Sequence, residues 1–134
     1  APAPTGAPFG LSEGAPSGAP WATTVAEAAA AVWAALGPGR PEPAYSAALA
    51  IELGGDHQAA VPVRYRGALV STCRADVFIP GPMATVIEVK LGDRATPEAL
   101  AQADAYRRSL AARLAVVVAF PRAAGKEPAV VYCE

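Results

Sequence analysis

The chain has 134 residues, enough for one domain that buries roughly two-thirds of the surface of its unfolded state. It is 53% hydrophobic with a formal net charge of −1, which excludes a strong overall electrostatic attraction to nucleic acid but not an enzyme whose bound cation supplies local positive charge. The chain offers no apolar run of about 18 residues and no secretory signal pattern, so we expect no membrane partner. Its two cysteines, Cys73 and Cys133, form neither a metal-ligand cluster nor a disulfide framework.

Residues 1–20 consist mainly of Ala, Pro and Gly and carry almost no charge. Such a segment buries too little surface to offset the entropy lost on ordering, so we predict a disordered leader or linker there. A single folded domain is predicted over 21–134. Thr23 or Thr24 is a suitable N-cap for a first helix, whose apolar residues recur at helical spacing as far as Leu36.

A second helix is predicted from about Pro41 to Leu53, after the Gly-Pro-Gly stop at 37–39. Proline is tolerated in the first turn of a helix because its missing N–H would have no helical partner there. Tyr45 and Leu49 mark the buried side of this helix. His57, the only histidine, follows in a polar segment, and we expect a solvated loop residue.

Strand patterns dominate the rest of the chain. Thr96 and Pro97 begin a third helix, predicted to run to about Arg113. The unbroken apolar run at 114–120 is typical of a strand covered on both faces. The strands are predicted at 61–65, 69–79, 84–90, 114–120 and 129–133. The order helix, helix, three strands, helix, two strands indicates an α/β domain with a mixed sheet.

The strand at 84–90 contains two charged residues, Glu88 and Lys90, at alternate positions. Alternate strand residues project from the same face, and an acid and a base on an apolar strand are costly unless they are paired or bind a ligand. Asp76 adds a second carboxylate from the neighbouring strand. A surface Glu–Lys pair on an edge strand is the simpler alternative, but Asp76 favours a binding site.

Carboxylates from two strands beside a lysine are typical of metal-dependent phosphodiester cleavage. Mg²⁺ prefers carboxylate oxygens, and Asp76 and Glu88 are the candidate ligands, with the backbone carbonyl of Val89 as a third. Lys90 is placed to orient or help to deprotonate the attacking water and to offset charge on the phosphate.

These residues carry a family resemblance. Residues 76–90 resemble the bipartite motif of the PD-(D/E)XK nuclease superfamily, with Asp76 as its aspartate and Glu88-Val89-Lys90 as its (D/E)XK. Leu36-Gly37-Pro38-Gly39, followed by Glu42 and Tyr45, resembles the signature of the GxxExxY family of predicted nucleases. The likeness extends through 48–53, 63–67 and 101–106 to the strand that ends at Phe120.

The resemblance implies a restriction-endonuclease-like core with a mixed central sheet flanked by helices. It assigns Glu42 to the metal site, directly or through water, and makes Gln102 a partner of the site or of the scissile phosphate. Tyr106, one turn further along the same helix face, is expected to pack or to form the wall of the site. Tyr45 is expected in the core or behind the site.

The resemblance implies a nuclease that uses Mg²⁺ or Mn²⁺ and acts on nucleic acid, DNA in preference to RNA, inside the cell. Arg74 and Arg107 are candidate phosphate contacts, although a solvated face explains them equally well. A catalytically weak nucleic-acid-binding or accessory module is the main alternative. A homodimer that engages both strands of a duplex also stays open.

Overall fold

The computed structural model of the chain describes residues 12–13 and 20–133, with side chains from residue 24 onward. Its elements in chain order are β1 (Ser12–Glu13), α1 (Pro20–Leu36), α2 (Glu42–Leu53), β2 (Asp56–Tyr65), β3 (Ala68–Ile79), β4 (Thr85–Leu91), α3 (Pro97–Ser109), β5 (Leu114–Phe120) and β6 (Ala129–Cys133).

The strands form one six-stranded sheet in the order β1-β6-β5-β4-β3-β2. The β4–β5 pair is parallel and the other pairs are antiparallel, which confirms the predicted mixed sheet. Parallel neighbours need a long crossover connection, and α3 provides it between β4 and β5. Every residue of β5 is buried, as its unbroken apolar sequence predicts.

Helices cover both faces of the sheet. α1 and α2 pack against one face, where Val77 and Ile87 belong to the largest hydrophobic core. α3 covers the other face through Ala99 and Ala103, which pack on Val117. The fold is therefore the restriction-endonuclease-like α/β arrangement that the resemblance implied.

The hairpin of β2 and β3 extends past the rest of the sheet. β3 pairs with β4 only from Val77 to Ile79, whereas it pairs with β2 over nearly its whole length. The distal part of the hairpin, residues 62–72, thus has no third strand beside it, and we call it the ribbon. Pro62 lies in β2, the edge strand, where a missing N–H costs no interior ladder hydrogen bond.

Several predicted boundaries were wrong. α1 begins at Pro20 rather than at Thr23 or Thr24, and α3 ends at Ser109 rather than near Arg113. α3 stops early because Ala111 adopts a φ of +52°, and the Arg113 N–H donates to the Ala84 carbonyl instead of continuing the helix.

His57 was also interpreted wrongly as a loop residue. It lies in β2, which begins at Asp56, and although exposed, its Nε2 is 2.9 Å from the Ser46 Oγ. Of the leader predicted over 1–20, the structure describes only Ser12–Glu13 and Pro20, so disorder there stays a prediction. Within the described part of the chain, no helix is long and apolar enough to cross a membrane.

Candidate active site at the junction of β3 and β4

Two carboxylates replace the backbone ladder where β3 and β4 separate. The ladder ends at the pair Val77 and Ile87. One step further, an Oδ2 oxygen of Asp76 accepts from the Val89 N–H at 2.7 Å, and an Oε2 oxygen of Glu88 accepts from the Asp76 N–H at 3.0 Å. The side chains thus satisfy backbone donors that the diverging strands would otherwise leave unpaired. The Glu88 carboxylate thus contacts the backbone of Asp76, which brings the two acidic residues together at the junction.

Glu42 reaches the same region from the first turn of α2. Its Oε2 accepts from the Leu91 N–H of β4 at 3.2 Å. The entry to α2 is held by Tyr45, whose hydroxyl donates to the Gly37 carbonyl at 2.6 Å and accepts from the Arg40 N–H at 3.2 Å. Tyr45 is fully buried, so it is a core residue that fixes the segment preceding Glu42.

Glu88 is the most perturbed acid of the site, with only 3% of its surface exposed. Burial, together with the charges of Asp76 and, more weakly, Glu42, raises its pKa from 4.5 to about 7, although the Asp76 N–H and the Lys90 charge act in the opposite direction. A bound proton or a bound cation stabilises a buried carboxylate that lies beside a second carboxylate. The electrostatics therefore suit a positively charged ligand.

The carboxylate oxygens of the site are chemically suited to bind a hard divalent cation. Within residues 12–13 and 20–133, no group of three or more His, Cys, Asp or Glu side chains stands close enough together to bind one ion. The Glu88 carboxylate nevertheless accepts from the Asp76 backbone N–H, and the Asp76 and Glu42 carboxylates are near enough to act on the pKa of Glu88. Such oxygens are the ligands that Mg²⁺ and Mn²⁺ prefer.

Lys90 and Gln102 face a common cleft of about 340 Å³, which Thr96, Glu98 and Ala99 also line. Gln102 Nε2 donates to the Tyr106 hydroxyl at 3.0 Å. The pKa of Tyr106 is raised, first by burial and then by Cys73, with a smaller contribution from Glu88. The amide, the phenol and the ammonium are thus gathered on the α3 side of the carboxylates.

The two candidate phosphate contacts differ in their surroundings. Arg107 donates through its Nε to Asp104 Oδ1 at 2.9 Å and forms an ion pair with the same carboxylate. Arg74 is exposed and donates to the Gln58 carbonyl at 3.3 Å. Arg74 therefore lies next to the β3–β4 junction, whereas Arg107 already has an acidic partner.

Gln58 is a site residue that the sequence reasoning missed. Its Nε2 donates to Asp76 Oδ1 at 3.3 Å, and its backbone has a φ of +57°, which is uncommon for a residue other than glycine. The hairpin geometry would have indicated it, since Gln58 lies between residues paired with Ala75 and Val77. The predicted strand, however, began only at Val61.

The comparisons with known proteins agree with this geometry. A family model described as the PD-(D/E)XK nuclease superfamily matches residues 19–130, a span that includes all the site residues described above. No curated protein and no solved structure matches the chain.

Proposed function

The chain belongs to the PD-(D/E)XK nuclease superfamily, and from this premise we propose that it is a metal-dependent nuclease that hydrolyses phosphodiester bonds of DNA. Membership of the superfamily indicates nuclease activity on nucleic acid. The observation that carries the proposal is the contact between Asp76 and Glu88 at the β3–β4 junction. The pattern of Gly39, Glu42 and Tyr45 supports membership of the narrower GxxExxY family.

In this proposal Asp76 and Glu88 hold Mg²⁺ or Mn²⁺, with Glu42 as a ligand directly or through water and the Val89 carbonyl as a further oxygen. A bound ion of this kind supplies an activated water and neutralises charge on the phosphate. Lys90 orients the water or takes up its proton, and its ammonium offsets negative charge at the scissile group.

The residues on the α3 side position the substrate. Gln102 opens onto the same cleft as Lys90, where its amide hydrogen-bonds the scissile phosphate or the site. Tyr106 forms the wall of the site and holds the Gln102 amide. Arg74 and, to a smaller extent, Arg107 contact phosphates on either side of the scissile bond.

The proposal is tested by incubating the purified protein with supercoiled plasmid, single-stranded DNA and RNA in Mg²⁺, Mn²⁺ or EDTA. We expect cleavage of DNA that needs the metal and is lost in Glu88→Ala and in Lys90→Ala. Glu52→Ala, which removes an exposed acid on α2, is the matched control and should keep full activity. Absence of cleavage, or cleavage that survives both site variants, would contradict the proposal.

The number of active sites in the assembly determines which plasmid products we expect. One such site cuts one strand, so a monomer should nick the plasmid, and cutting of both strands should require a homodimer. An increase of linear product with protein concentration would support dimer action. An intracellular location, cytoplasmic or nuclear, suits this substrate and the two free cysteines, Cys73 and Cys133.

A second candidate function is a nuclease-fold accessory module that binds nucleic acid with little or no turnover. It is favoured by one observation: the carboxylates already hydrogen-bond backbone N–H groups, and no set of three acidic or imidazole ligands is assembled within the described residues. Calorimetry separates the two functions, because metal and DNA binding without turnover would favour the module.

A further inference from the structure

The ribbon, residues 62–72, exposes most of the large apolar side chains found at the surface of the described chain. Tyr65, Leu69 and Val70 are 61%, 55% and 60% exposed. Grouped apolar exposure on a protruding element is typical of an interaction surface.

The ribbon is locally basic. It contains two arginines, Arg64 and Arg66, and no acidic residue, whereas the whole chain has a net charge of −1. Both Arg64 and Arg66 are exposed, and neither forms an ion pair within the described part of the chain. The charge of the ribbon is therefore complementary to a phosphate backbone.

The turn of the ribbon holds an arginine where other residues are preferred. Arg66 and Gly67 have φ values of +49° and +84° and connect the paired residues Tyr65 and Ala68. A two-residue turn of this kind favours Asn, Asp or Gly at its first position. The Arg66 guanidinium lies 5.2 Å from the centre of the Tyr65 ring. An arginine kept in a strained conformation at an exposed tip indicates a functional constraint.

A β-bulge determines the face on which a second arginine lies. The register shifts between Val63 and Arg64, where β3 has one extra residue and Arg64 pairs with Leu69. β2 keeps its alternation, so Arg64 projects from the face opposite to Val63 and to the Val61–Cys73 pair. Cys73 contacts Tyr106 of α3. Arg64 therefore lies on the face that α3 does not cover, where its exposed guanidinium is open to a ligand.

The length and form of the ribbon fit duplex DNA. At ~3.3 Å per strand residue, Gly67 lies roughly 30 Å along β3 from Asp76. The major groove of B-DNA admits a two-stranded ribbon, whereas the major groove of A-form RNA is too deep and narrow to be read in this way.

We propose that the ribbon is a DNA-binding arm that enters the major groove beside the cleavage site, with Arg64 and Arg66 on phosphates and the apolar tip against the groove. The inference rests on the proposed nuclease function for the placement of the DNA. Binding by the arm does not depend on turnover.

The test is fluorescence anisotropy of a labelled DNA duplex in EDTA, where no cleavage occurs, at several salt concentrations. For Arg64→Ala combined with Arg66→Asn we expect the affinity for the duplex to fall about tenfold or more. The slope of log affinity against log salt concentration should become shallower by the amount that about two phosphate contacts contribute. Arg113→Ala is the matched control. Arg113 is exposed and directly precedes β5, whose first residue pairs with Thr85 beside Ile79, the end of β3 that is farther from the ribbon, so its loss should leave affinity unchanged. Thermal melting verifies that each variant is folded.

Equal affinity of the double variant and the wild type would overturn the inference, as would a stronger preference for duplex RNA or single strands. A wild type that binds no duplex would overturn it too. If Leu69→Ser changes the mass measured by light scattering but not the DNA affinity, the ribbon is a contact between copies of this chain and the inference is wrong. Loss of binding in the double variant supports the arm even if the wild type proves unable to cleave, in which case only the nuclease proposal fails.

Discussion

Glu88 has the most unfavourable electrostatic environment among the acids of the site. Its pKa is raised to about 7 by burial and by neighbouring carboxylates, so the protein without metal stores a free-energy cost in keeping it ionised. A bound divalent ion would reverse this cost, because it favours the ionised form. The site is thus better suited to a cation than to solvent alone.

This environment predicts the pH dependence of stability in EDTA. The pKa of Glu88 in the folded state lies above the value of 4.5 in the unfolded state. The native state therefore keeps the Glu88 proton up to a higher pH than the unfolded state does. The stabilisation that the protonated Glu88 gives the native state is complete below pH 4.5 and is lost as the pH rises through about 7. At 1.36 kcal/mol per pKa unit, the loss in the free energy of unfolding is about 3 kcal/mol.

Glu88→Gln should remove this loss, since the amide oxygen still accepts from the Asp76 N–H but carries no charge. Urea denaturation from pH 5 to pH 8 measures the effect, with Glu52→Gln as the exposed control. Identical pH profiles for Glu88→Gln and the wild type would show that Glu88 is not the titrating group.

Arg66→Asn alone should raise the stability of the fold. Asparagine tolerates the left-handed conformation of this turn position better than arginine does, so the free energy of unfolding should increase by up to about 1 kcal/mol. Arg66→Ala, which keeps the steric conflict, is the control and should not stabilise. A lower melting temperature for Arg66→Asn would contradict the strained turn described above.

Among the secondary structure elements, α2 depends on its entry segment more than on capping. Pro41 at its N-cap makes no side-chain hydrogen bond, and the Tyr45 hydroxyl instead binds the Gly37 carbonyl and the Arg40 N–H. Tyr45 also stacks on Phe120, with ring centres 4.7 Å apart. The phenol therefore connects the loop before Glu42 to the core.

Tyr45→Phe keeps the stacking and removes both hydrogen bonds. Because a partly buried carbonyl and N–H lose their partner, we expect the free energy of unfolding to fall by about 1–3 kcal/mol. Chemical denaturation measures the change, and Tyr65→Phe, at an exposed position, should have no effect. Equal stability of Tyr45→Phe and the wild type would mean that solvent satisfies the loop.

The elements that were predicted correctly carry strong local patterns. β5 is an unbroken apolar run, and Thr96 caps α3 by accepting from the Ala99 N–H, as its position before proline suggested. The end of α3 was missed because Leu110, Ala111 and Ala112 favour helix, whereas the left-handed conformation of Ala111 and the hydrogen bond from Arg113 to Ala84 end it. The start of β2 was missed because an exposed edge strand lacks the alternation that signals burial.

For the molecule as a whole, the site combines α2, β3, β4 and α3. Strand alternation indicated Glu88 and Lys90, and the family resemblance supplied Glu42 and Gln102. Gln58 was missed because the predicted strand began only at Val61, and its contact with Asp76 also depends on a left-handed residue within a strand. The residues flanking Asp76 also join different cores, with Val77 against α1 and α2 and Ala75 beneath α3.

The proposed function requires that one divalent ion is shared by carboxylates from two strands. Titration with Mn²⁺, followed by the electron paramagnetic resonance signal of the free ion, measures this directly. We predict one bound ion for the wild type, much weaker binding in Asp76→Asn and in Glu88→Gln, and unchanged binding in Glu52→Gln. A wild type that binds no Mn²⁺, or site variants that bind it as tightly as the wild type, would contradict the metal site at the β3–β4 junction.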